Sequence, residues 1–66
     1  MAQWKVRGFR IIQHQNDHWP PHVHVYQDDD YIGKFDILHR RWIEGPYHAR
    51  NQAEKALCEW LESQNT

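Results

Sequence analysis

The sequence predicts a small α+β fold, a three- or four-stranded antiparallel meander with one C-terminal helix packed on one face. Three observations carry that prediction. Apolar and polar residues alternate up to Glu44, turn-forming residues punctuate that stretch, and apolar spacing widens to a helical period only beyond Gly45-Pro46. A chain of 66 residues allows one domain, with the sheet over about 3–45 and the helix over about 51–64.

The first strand is expected over 4–14. Trp4 and Val6 share one parity, Phe9 and Ile11 the other, and the slip at Gly8 is what a β-bulge would produce. Residues 15–21 read as a loop, because Asn16 and Asp17 favour turns and Pro20-Pro21 offer no ladder donors. A second strand follows over 22–27. Asp28-Asp29-Asp30 form a soluble hairpin tip without the spacing of a calcium loop. A third strand over 31–38, a turn at His39-Arg40 and a short fourth strand over 42–44 complete the sheet. For the helix, Asn51 stands as N-cap with Glu54 as its capping-box partner. Ala53, Ala56, Leu57, Trp60 and Leu61 fall on one face, with Lys55 and Glu59 on the wet side.

One helix covers one face of a sheet. On the second strand Val23 and Val25 point one way while His22, His24 and Tyr26 point the other. The valines pair naturally with Leu57, Trp60 and Leu61, which leaves the imidazoles and Tyr26 on the open face.

Composition narrows the function classes. Hydrophobic residues are 39% and charged residues 26% of the chain, and mean hydropathy is −1.03, so no run spans a bilayer and no signal-peptide core follows Met1. Lys and Arg number eight against nine Asp and Glu, which leaves no global basic field. The single Cys58 cannot form an internal disulfide, as suits a reduced cytoplasm. It lies off the apolar stripe with no base beside it, so no reactive role is expected. Ser63 and Thr66 are the sole hydroxyl nucleophiles of their kinds, and a serine-type triad is close to excluded. Six histidines are present, four of them between His14 and His24, and protonating all six would carry the net charge from −1 to +5.

The run Asn16-Asp17-His18-Trp19-Pro20-Pro21-His22-Val23-His24-Val25 resembles the signature N-D-H-x-P-P-H-x-H-V of a family of short bacterial proteins, domain of unknown function 4160. The likeness extends to a Gly-containing third strand, to Glu44-Gly45-Pro46 as the family's turn, and to Trp60 as its helix tryptophan. Trp19, the basic Arg40-Arg41 turn and the brevity of the chain depart from the pattern. Family members resemble genes lying beside another small gene. The resemblance therefore implies a toxin–antitoxin-like or regulatory pair, and it brings no activity.

The chemistry centres on His22-x-His24. Side chains two apart on a strand share a face, with Cα atoms about 6.6 Å apart. Such a pair can converge on zinc, nickel or copper if His18, Asp17 or His14 supplies a further ligand. The plainer alternative is surface imidazoles that pin the Pro20-Pro21 turn. Asp17 can orient His18, although bonding to its own turn's amides is the simpler role. Trp19 is either a binding hot spot or a lid folded over the sheet edge. Lys5, Arg7, Arg10, Arg40, Arg41 and Arg50 are candidates for a phosphate-contacting patch, opposed by the Asp triplet and Asp36.

Together these features point first to a cytosolic interaction or regulatory module. Its binding residues are Asp17, His18, Trp19, His22, His24 and Tyr26, and its partner is a second copy or a small protein. An RNA-cleaving toxin, with His18, His22 or His24 as general acid and base, is the rival from another class. A zinc-binding module built on His22, His24 and His18 is the third reading.

Overall fold

The computed structural model describes residues 2–14 and 21–64. Five strands form one antiparallel sheet in sequence order: β1 (Ala2–Val6), β2 (Phe9–Gln13), β3 (His22–Gln27), β4 (Asp30–Asp36) and β5 (Arg41–Glu44). Helix α1 (Arg50–Gln64) follows. The α+β meander with a C-terminal helix is as the pattern implied, but the strand count is five rather than three or four.

The extra strand comes from 4–14, which is a hairpin and not one bulged strand. Val6 pairs with Phe9 across a two-residue turn in which Arg7 (φ 52°) and Gly8 (φ 84°) are both left-handed. Two left-handed central residues are the backbone of a type I′ turn, whose twist matches that of paired strands. Gly8 is there for its positive φ. The later elements shift by a residue or two: Asp30 belongs to β4 rather than to the tip, and β5 begins at Arg41. Register shifts between Val25 and Tyr26 in the β3–β4 pairing and between Lys34 and Phe35 in the β4–β5 pairing bring Tyr31 opposite Tyr26 and Glu44 opposite Lys34.

Alternation then sorts the strands into two faces. Phe9, Ile11, Val23, Val25, Ile32 and Phe35 are buried with Ala53, Ala56, Leu57 and Trp60 of the helix. Val23 and Val25 are fully buried, so the predicted sidedness of β3 holds. The helix runs across the sheet from one edge to the other. Near its start Glu54 meets Trp42 of β5, and near its end Trp60 stacks on Trp4 of β1, ring centroids 5.0 Å apart.

The predicted capping box does not form. Helix α1 begins one residue earlier, at Arg50, and the Ala53 amide closes the first turn on the Ala49 carbonyl at 2.9 Å. Glu54 is drawn away from Asn51 because its Oε2 accepts the Trp42 indole N–H at 3.0 Å and Arg50 Nε at 3.2 Å. Glu59 pairs with Arg7 of the β1–β2 turn, 3.1 Å away, which ties that turn to the helix.

Candidate functional site

The face away from the helix is built from one row on each strand. Cross-strand pairing sets Arg10 beside Tyr26, Ile12 beside His24, Lys34 beside His24, and Glu44 beside Lys34. His22, His24 and Tyr26 are half-buried, on the face opposite the one that α1 covers. Their rings join a band of aromatic contacts. His24 meets His14 edge-on at 5.0 Å and His22 at 5.4 Å. Further along, Tyr26 lies 5.3 Å from Tyr31, and Tyr31 lies 6.0 Å from Tyr47. The Arg10 guanidinium sits over the Tyr26 ring, 5.7 Å from its centroid.

Glu44 organises one end of this band. The Tyr31 hydroxyl donates to its Oε1 at 2.8 Å and the Tyr47 hydroxyl to its Oε2 at 2.9 Å. These two bonds hold the Glu44 carboxyl below its ordinary value, aided by the positive fields of Lys34 and His24 against partial burial. Burial and the same carboxylate push the Tyr31 phenol well up, and the bond to Glu44 also raises Tyr47. Both tyrosines are therefore neutral donors across the physiological range.

Asp36 anchors the other end, opposite His22 in the ladder. It is 2% exposed, and its Oδ1 accepts the amides of Leu38 at 2.9 Å and His39 at 3.0 Å. Its Oδ2 lies 2.7 Å from His39 Nδ1. Burial acts to raise its carboxyl, but the His39 amide and ring and the Leu38 amide outweigh it, and the group sits below its ordinary 3.8. A depressed carboxylate contributes stability that is present above that ordinary value and lost as pH falls through the folded one. Urea unfolding between about pH 2 and 7 is expected to show this acid loss in the wild type and a shallower one in Asp36→Asn. Identical acid slopes would remove Asp36 from that role.

Among the sequence-predicted residues, His22, His24 and Tyr26 come together on this face, and His14 joins them. Asp17, His18 and Trp19 lie outside the described residues. Among the described residues no group of three or more His, Cys, Asp or Glu side chains is placed to hold a metal. The basic residues proposed for a phosphate patch are not gathered in one patch. Arg7 and Arg40 occupy turns at opposite ends of the strands, and the β1–β2 and β4–β5 pairs lie at opposite edges of the sheet. Tyr31, Lys34, Glu44 and Tyr47 were not foreseen, because the register shifts in β4 break the alternation that would place them. Cys58 is exposed, as expected, with Sγ 3.8 Å from Glu62.

A family model described as a domain of unknown function (DUF4160) matches residues 8–66. No curated protein and no solved structure matches the chain. Among the described residues no helix is long and apolar enough to cross a membrane.

Proposed function

The chain belongs to the DUF4160 family, and on that premise we propose that it is a small cytosolic interaction or regulatory module whose partner protein docks on the imidazole-bearing face of the sheet. The observation that carries this reading is the band of rings on the face of the sheet away from the helix. It runs from His14 and His22 through His24 on one side, and from Tyr26 through Tyr31 to Tyr47 on the other. Aromatic rings with polar rims are the groups that protein interfaces concentrate. Arg10, Lys34 and Glu44 on the same face give it fixed charges of both signs, which select partners more than they add affinity.

Protonation of the imidazoles would add positive charge to a face that already holds Arg10 and Lys34. Sedimentation velocity is expected to show self-association, or association with a small partner, near pH 8 and its weakening toward about pH 5. The folded His22→Ala and His24→Ala variants should lose both the association and its pH dependence. A flat profile with unchanged variants would overturn the reading.

Lys34 opposite His24 favours one rival, cleavage of RNA, since a cation beside an imidazole suits acid–base work on a phosphate. Cleavage of RNA that vanishes in His24→Ala would select it. Zinc uptake lost in the same variants would select a metal module, with His18 as the further ligand.

A further inference from the structure

On the helix side of the sheet, away from the band of rings, a groove of about 590 Å³ opens between α1 and the β4–β5 turn. Its apolar wall is Trp42, Leu57 and Leu61, and Arg40, Arg41 and Arg50 also line it. We propose that this groove is a second binding site, for a small organic anion that joins a planar apolar body to a carboxylate or phosphate.

The groove has the size of small-ligand sites, which run to about 300–1,000 Å³. Its platform is already held in place. The Trp42 ring is fixed edge-on against Phe35, with centroids 5.3 Å apart, and its N–H is bonded to Glu54 at 3.0 Å. A ring that is clamped before binding loses little freedom when a ligand stacks on it. The charge is equally one-sided. Among the described residues Glu54 is the one carboxylate that lines the groove, and Arg50 sits 3.2 Å from it. Arg40 and Arg41 have no ion-pair partner among the described residues, in a chain whose net charge is −1. Arg40 also holds φ at 56°, a conformation that glycine or asparagine adopts at less cost. Among the described residues its side chain makes no hydrogen bond or ion pair.

The anion is a small molecule rather than a nucleic acid strand. A strand needs a continued basic track, and Arg7 is remote at the other end of the strands, where it is paired with Glu59.

The test uses the dye 8-anilinonaphthalene-1-sulfonate, an aromatic anion, beside its uncharged relative N-phenyl-1-naphthylamine. Saturable dye fluorescence at one equivalent is expected, weakening with salt. The Arg40→Gln/Arg41→Gln variant, with unchanged circular dichroism and Tm, should bind the sulfonate on the order of tenfold more weakly. It should bind the neutral relative as before. His24→Ala should bind both normally, which separates this groove from the proposed docking face. Displacement of the dye by phenyl phosphate or by phenylacetate assigns the anion. The proposal is overturned by no saturable binding, by equal losses for both dyes, by loss in His24→Ala, or by failure of both competitors.

Discussion

Gly33→Ala is expected to detach β5 from the sheet. A Cβ at this position would lie 2.3 Å from the Glu44 carbonyl oxygen and 3.2 Å from two Trp42 ring atoms. The first distance is to backbone, which cannot swing aside as a flexible side chain would. The register shift between Lys34 and Phe35 leaves β5 crossing close over Gly33, and only a residue without a side chain permits that approach. The cost should reach or exceed the ~1–3 kcal/mol of an overpacked core site. Thermal unfolding should report a lowered Tm, and amide exchange should report lost protection in 41–44. The consequence extends to both proposed sites, because β5 brings Glu44 to the open face and Trp42 to the groove. A variant with wild-type Tm and protected β5 amides would show that the strand can shift without penalty.

Leu57→Ala should have a still larger effect on global stability. Leu57 is 1% exposed at the centre of the helix stripe, packed with the row that includes Val23 and Val25. Removing a buried leucine side chain costs about 2–5 kcal/mol through lost burial and the cavity left behind. A core of this size rarely supplies more than ~3–5 kcal/mol in total, and Cys58 offers no internal crosslink. The variant is therefore expected to be largely unfolded at room temperature by circular dichroism and by loss of dispersed amide signals. Leu57→Met, which keeps volume, should restore folding. A folded, cooperative Leu57→Ala protein would mean that the helix is held mainly by its edges, Trp42–Glu54 and Trp4–Trp60, rather than by its middle.

How much of this was legible beforehand differs by element. The sidedness of β3 could be read because period-two alternation leaves Val23 and Val25 no choice once a single apolar helix stripe exists to cover them. The helix itself was readable for the same reason. The β1–β2 hairpin was misread because residues on either side of a two-residue turn face the same way, and this gives the same parity slip as a bulge. Arg7 carries none of the composition cues of the left-handed site it fills. Glu54 was assigned to Asn51 on local spacing, whereas a tertiary partner, the Trp42 indole, claims it. The part of the open face from Tyr31 to Tyr47 was hidden by shifts in register that no single strand's pattern reveals.

Sheet order here is chain order, each strand pairing with its immediate predecessor. Ring closures are consequently short, and such wiring lowers the entropic barrier to assembly and favours rapid zipping. The helix is the exception, since it reaches back to Trp4 at the far border of the sheet. The valine row of β3 is covered only when Leu57 and Trp60 dock on it, so the sheet without its helix would present that apolar row to water.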